Sequence, residues 1–241
     1  MSSIAVGYAM HRSLIALALC AVAPATAQAR PVVLELFTSQ GCSSCPPADA
    51  VLAKVAQQPD VIALSTPVDY WDDLGWKDRF ARPENTARQN AYASRWGSRS
   101  VYTPQLVVNG TQETVGSRWD KVASLIDQER QKPAPVTVAL DRMTDGAVTV
   151  SLKGAASTRG LVRLIWVRAQ GQVAVRAGEN GGRTLHYTNI VLDEASLGLW
   201  SGSATKLTAP AKLIARHKAD RLAVIVQDGV GPVLGAAMLN L

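Results

Sequence analysis

The sequence predicts an α/β unit of element order β-α-β-α-β-β-α followed by an all-β, sandwich-like unit, in a chain of 241 residues. Three observations carry this. Up to about residue 130, apolar runs of strand length alternate with stretches whose apolar residues recur at helical spacing. Gln131-Lys132-Pro133-Ala134-Pro135 then reads as a stiff linker. Beyond it lie only short, often alternating runs divided by Gly, Asp, Asn and Ser.

The first element is Val32 to Phe37, nearly all apolar, as expected of a strand covered on both faces. A helix follows from about Ser44 or Cys45. Pro46 and Pro47 suit its first turn, Ser44 is the expected cap, and Ala48, Val51, Leu52 and Val55 form its apolar stripe. Val61 to Leu64 is a second buried strand, so the unit is βαβ with parallel strands. A second helix is expected from Pro83-Glu84 to near Trp96, stopped by Gly97. Val101 to Val108 is the third strand, Asn109-Gly110 a two-residue hairpin turn, and Thr111 to Val115 the return. A helix from Arg118 to about Arg130, with Trp119, Val122, Leu125 and Ile126 inward, closes the unit.

In the second half the expected strands are Val136 to Leu140, Ala147 to Leu152, Leu161 to Arg168, Gln172 to Arg176, Thr184 to Leu192, Ala204 to Leu207, Arg221 to Gln227 and Val233 to Leu239, with no helix among them. The predicted organisation is a signal peptide over residues 1–29, an α/β domain over 30–132 and an all-β domain over 133–241.

The signal peptide rests on His11 and Arg12, an apolar run from Leu14 to Val22, and the small-residue pattern around Ala25, Ala27 and Ala29. That run is shorter than the roughly 20 apolar residues that span a bilayer, so the expectation is export to the periplasm or beyond, with no stable membrane span once it is cleaved. Hydrophobic residues make up 47% of the chain, enough for a real core. The formal net charge of +6 comes from scattered Lys and Arg with no dense basic run, which argues against nucleic acid as a partner.

Of the three cysteines, Cys20 would leave with the signal, and Cys42 and Cys45 would remain as a single pair in an exported protein. They stand in Cys42-Ser43-Ser44-Cys45, on the turn between the first strand and the first helix. That spacing lets the two sulfurs close a small ring and reopen it by exchange, with Cys42 attacking and Cys45 resolving. A structural disulfide and a zinc half-site are the competing readings. Zinc wants four ligands, whereas only His186 and His217 stand apart from the pair, so no metal and no cofactor is expected. Copper delivery through the two thiolates is a third idea, without a Met cluster or nearby His to support it.

Other candidates surround the dithiol in sequence. Glu35, an acid in an apolar strand, is either a proton relay for the resolving thiol or one half of a strand-edge ion pair. Asp69, Tyr70 and Trp71 follow the second strand, whose carboxyl end faces the same rim as the cysteine turn, and are candidates to line a substrate groove. Gly178 to Gly182 reads as a hairpin tip, with Arg183, His186 and Tyr187 beyond it. The expected partner is a protein or small-molecule thiol or disulfide.

The dithiol turn after the first core strand, together with Thr103-Pro104 at the mouth of the third, is similar to the thioredoxin fold over about Pro31 to Arg130. That resemblance implies that Pro104 is cis, sits against Cys42 and Cys45, and leaves the Thr103 backbone to dock a substrate. The chain departs from thioredoxin in having no Trp before Cys42 and no Gly-Pro between the cysteines. Glu35 to Asp49, Val68 to Asp72, Leu74 to Trp76, Gly178 to Leu185 and Tyr187 to Val191 together resemble an exported bacterial family catalogued as domain of unknown function 1223. That resemblance implies a thioredoxin-like fold and export. The functional expectation is thiol-disulfide exchange; the alternative is a binding or structural module stapled by an inert Cys42-Cys45 bond.

Overall fold

The first seven elements are β1 (Val32–Thr38), α1 (Pro46–Val55), β2 (Val61–Pro67), α2 (Pro83–Arg95), β3 (Gln105–Val108), β4 (Gln112–Val115) and α3 (Trp119–Arg130), in the expected order. The computed structural model describes Met1, residues 31–155 and residues 158–241; apart from Met1, the expected signal peptide and Cys20 lie outside them. β1 and β2 run parallel, from Val32 beside Val61 to Thr38 beside Pro67. β3 joins β1 antiparallel and β4 joins β3 antiparallel. Asn109 and Gly110 both have positive φ, and the Thr111 amide bonds the Val108 carbonyl across them, the geometry of a tight two-residue turn.

The second half contains β5 (Val136–Arg142), β6 (Val148–Gly154), β7 (Gly160–Ala174), β8 (Thr184–Trp200), β9 (Thr205–Ala209), α4 (Ala211–Ile214), β10 (Arg221–Gln227) and β11 (Val233–Asn240). Two expectations are corrected here. Leu161 to Arg168 and Gln172 to Arg176 are not separate strands but parts of one, β7, because Gly171 is no turn residue. A Cβ at Gly171 would lie 2.5 Å from Ile190 Cδ1 and 3.1 Å from the Phe80 ring, so this glycine permits close packing inside the strand. The half is also not free of helix. Pro210 leads into the single turn α4, too short to show helical periodicity.

Strands from both halves share one eight-stranded mixed sheet of order β11-β10-β7-β8-β2-β1-β3-β4, and β5-β6-β9 make a second, three-stranded sheet. The join between β2 and β8 is narrow, a parallel pairing at Ser65 and Ile190. Alternate residues of β1 face opposite ways. Leu34 and Leu36 pack with Ala48 and Leu52 of α1 and with Val122, Leu125 and Ile126 of α3, while Val33 packs with Leu64 and Val191 on the other face. The small sheet sends Val136, Val138, Val148 and Val150 against Val162, Leu164, Trp166, Leu222 and Val224 of the large one. Among the described residues, no helix is long and apolar enough to cross a membrane.

Candidate functional site

The cysteine turn leaves the carboxyl end of β1 and enters α1. Cys42 and Cys45 are joined by a disulfide, with Cα atoms 5.4 Å apart, and both residues are fully buried. Two local backbone bonds between residues three apart shape the turn, Cys42 N–H to Ser39 O at 3.3 Å and Cys45 N–H to Cys42 O at 3.2 Å. The helix is not capped by Ser44 as expected. Its N-cap is Cys45, and no side chain caps it. Pro46 and Pro47 have no N–H to offer, and the next two amides, Ala48 and Asp49, both bond the Cys45 carbonyl, leaving nothing for a cap to accept from. Ser44 Oγ lies 3.3 Å from Cys42 Sγ instead. These amides are therefore occupied by the backbone and not aimed at the sulfurs.

Two tryptophans stand against the turn. Trp71 packs so closely on it that a Cβ at Gly41 would meet Trp71 Cβ at 3.1 Å, and its indole N–H donates to Thr103 Oγ1 at 2.9 Å. Trp71 thus bridges the cysteine turn to the loop before β3, where the Thr103-Pro104 peptide is cis. Trp76 donates to Gln40 Oε1 at 2.9 Å. Tyr70 is partly exposed, and burial of its ring, opposed by contacts with Gln89 and Thr103, raises its hydroxyl above the usual tyrosine range. Asp69 turns elsewhere, accepting a 2.5 Å bond from Thr86 Oγ1 at the start of α2. Of the three groove candidates, then, Trp71 and Tyr70 gather near Thr103 and Asp69 does not.

Glu35 is corrected. It points away from α1, toward α2, and its carboxylate is fully engaged: Arg88 at 2.6 and 2.9 Å, Tyr92 Oη at 2.6 Å and Arg163 at 3.3 Å. Burial alone would raise its pKa, but Arg88 and Arg163 outweigh it and pull the pKa down to about 2. An acid so strongly ion-paired is no proton acceptor. Of the two roles open to it, the ion pair is the one formed, within the sheet and not at its edge.

The acid on the dithiol side is Asp49. Cys45 already has helical φ and ψ, so Asp49, four residues on, lies one turn along the same face with its side chain leaning back toward Cys45. Asp49 is buried, and its Oδ1 has no hydrogen-bond partner. Burial drives its carboxyl well above the ordinary range, the Thr38 hydroxyl opposing and Asp78 adding to the shift. Asp78 is itself raised to about 6, chiefly by burial, although it accepts the Gln40 amide at 2.8 Å. Tyr187 Oη and Gln40 Nε2 are further buried polar atoms without partners. Burial first, then Asp49 and Asp78, push the Tyr187 hydroxyl up. None of these was marked by a motif; the one legible sign was the i+4 spacing of Asp49 from Cys45. The second half also reaches the turn, through Glu179 and Asn180.

A family model described as "Protein of unknown function (DUF1223)" matches residues 33–227. The crystal structure of protein AGR_C_4864 from Agrobacterium tumefaciens is 34% identical, with a TM-score of 0.79, over 88% of this chain and 95% of that one. A curated protein of Archaeoglobus fulgidus, named "Probable Thioredoxin", is 36% identical over 78 residues, 32% of this chain. The chain spans 66% of that relative, just under two thirds of its length. HBP35 of Porphyromonas gingivalis shares the fold at 16% identity, with a TM-score of 0.61 over 88% of this chain and 76% of that chain.

Proposed function

The chain belongs to the family of unknown function DUF1223, and we propose that it exchanges thiols and disulfides with a protein or small-molecule partner through Cys42 and Cys45. The observation that carries this reading is a closed Cys42–Cys45 pair on a strand-to-helix turn with a buried acid, Asp49, whose Oδ1 has no hydrogen-bond partner, one helical turn beyond the second cysteine. Similarity to a probable thioredoxin supports it. On this reading residues 30–132 form a thioredoxin-like domain, residues 133–241 a sandwich-like one, and the protein acts outside the cytoplasm after its N-terminal signal is removed.

In the reducing direction, the Cys42 thiolate attacks one sulfur of a substrate disulfide. The other substrate sulfur leaves as a thiolate and takes a proton from solvent. The Cys45 thiol then gives its proton to the Asp49 carboxylate, and the Cys45 thiolate attacks Cys42 Sγ. The second substrate thiolate is released, and the Cys42–Cys45 bond closes. Two electrons pass from the dithiol to the substrate, and Asp49 returns its proton to solvent. A raised carboxyl pKa suits that step, because proton transfer from a thiol is easier to a stronger base. Trp71, Tyr70 and the Thr103-Pro104 loop form the substrate side of the site.

The complete burial of both cysteines favours a second reading, an inert staple inside a binding module. Equilibration of the Cys42–Cys45 couple against glutathione separates the two. A potential between about −120 and −270 mV fits exchange, and one below about −300 mV fits a structural bond.

A further inference from the structure

The tip of the hairpin between β7 and β8 is bound to the cysteine turn from 136 residues away, and nothing in the exchange chemistry above uses it. The tip is closed on itself. Val175 N–H bonds Arg183 O, Gly182 N–H bonds Val175 O, and Arg183 N–H bonds Asn180 O, at 2.9 to 3.1 Å. Gly178, at φ +70°, lies against Trp76, where a Cβ would meet Trp76 Cβ at 3.3 Å. Asn180 is fully buried, and its amide group is fully used: Nδ2 donates to Gln40 O at 3.0 Å and to Cys42 O at 2.9 Å, and Oδ1 accepts from Arg183 at 2.7 Å. Beside it, Glu179 Oε2 accepts the Ser43 amide at 2.9 Å.

Ser43 N–H is the first backbone donor after Cys42, beside the Ser44 hydroxyl that lies 3.3 Å from Cys42 Sγ. The Cys45 amide is bound to the Cys42 carbonyl, and the prolines have none. Glu179 takes the Ser43 donor and adds a negative charge. From Ser43 N, covalent reach puts that charge no more than roughly 7 Å from Cys42 Sγ. Hydrogen bonds from Ser43 hold the Glu179 carboxyl below its usual range, so it is ionised at neutral pH. Among the described residues, other charged or titratable groups around the turn include Asp49 from α1, Tyr70, Asp72 and Asp78 from the loop after β2, Arg183 from the hairpin, and His186 and Tyr187 from β8. Only Glu179 is bonded within the Cys-x-x-Cys segment.

We propose that Glu179, docked by Asn180 onto the cysteine turn, is a positioning residue that keeps the Cys42 thiol protonated until the hairpin is displaced. This rests on the exchange function proposed for Cys42. Lifting the tip frees the Ser43 amide and removes the carboxylate, so docking of a substrate in the hairpin's place activates the thiol. The second half of the chain thereby completes the redox site.

The test is the pH profile of Cys42 alkylation by iodoacetamide in the fully reduced chain, read at the Cys42 peptide by mass spectrometry. Glu179 is exposed, and Glu179→Gln keeps an acceptor for the Ser43 amide while removing the charge. Removing a unit negative charge at that range, screened nearly as in water, is expected to lower the midpoint by about half a pH unit and raise the thiolate fraction below it about three-fold. Glu179→Ala should do the same or more, and added salt should narrow the gap between parent and variants. A midpoint identical in the parent and both variants overturns the proposal. So does a faster rate at an unchanged midpoint, which would make the hairpin a steric cover alone. The profile reads thiol ionisation and not exchange, so it remains interpretable if the disulfide proves inert toward glutathione.

Discussion

Glu35 of β1 and Arg163 of β7, both buried, meet at 3.3 Å in the interior although 128 residues separate them. Around them, Arg88 of α2 and Arg163 both donate to Gln227 Oε1 of β10, and Gln227 Nε2 donates to Tyr92 Oη. Glu194 of β8 accepts the Arg163 guanidinium at 2.6 and 2.7 Å. This network ties both halves of the chain together across the sparsely bonded seam between β2 and β8.

Glu35→Gln should therefore destabilise the protein by about 3 kcal/mol, because it leaves the Arg88 guanidinium without a carboxylate and takes one of two from Arg163, which keeps Glu194. The pH dependence has a definite sign. With its pKa lowered from 4.5 to about 2, Glu35 contributes stability that is present above pH 4.5 and is lost as pH falls toward 2. A shift of that size corresponds to on the order of 3 kcal/mol. Denaturant melts at pH 7 and pH 3 check it. The parent should lose more stability than the variant on acidification.

Asp49→Asn should act in the opposite direction on stability. A carboxyl whose folded pKa is raised contributes stability that is full below its unfolded pKa and disappears as pH rises through the folded pKa. Removing its ionisation should gain on the order of 1 to 3 kcal/mol at neutral pH, because folding no longer has to bury a charge or take up a proton there, with the gap closing toward pH 3. The same variant should accumulate a mixed disulfide on Cys42 about ten-fold or more during turnover, since Cys45 loses its proton acceptor. Equal stability across pH and no trapped intermediate would remove Asp49 from the mechanism.

Gly110→Ala should be severely destabilising, by more than about 3 kcal/mol. Gly110 has φ +68°, and a Cβ there would lie 2.0 Å from the Gly231 carbonyl oxygen. This is a backbone-to-backbone approach that no side-chain rotation relieves. Thermal melting against a Gly97→Ala control, also at positive φ but with no atom within 4 Å, separates the clash from the φ penalty.

Trp71→Phe should keep the contact of residue 71's Cβ with Gly41 and lose the indole bond to Thr103. The expected result is a several-fold rise in KM for a protein disulfide with kcat little changed, because a positioning contact is lost and the thiols are untouched. Steady-state reduction kinetics decide this. A fall in kcat alone would place Trp71 in the exchange step.

The β-α-β-α-β-β-α order was legible because each element of the first half carries its own local signal. Examples are the apolar run of Val32 to Phe37, Pro46-Pro47 at a helix start, Gly97 as a stop and Asn109-Gly110 as a turn. The cysteine pair was legible for the same reason, since the chemistry of Cys42-x-x-Cys45 is carried by spacing alone. Gly171 was misleading because one residue type serves both turns and close packing, and only its distance to Ile190 separates the two.

The sequence by itself thus determined the local elements and the cysteine pair, which depend on neighbours within about a dozen residues. Tertiary structure decided what those groups meet. It gave Glu35 to Arg88 and Arg163, buried Asp49 one helical turn past Cys45 with Oδ1 unbonded, and brought Asn180 and Glu179 onto the cysteine turn. The physical reason is that a side chain's charge state and hydrogen bonds are set by the surfaces packed against it. In this protein hydrogen-bond partners come from residues as far as 140 positions away, as for Asn180 and Gln40, which local periodicity does not encode.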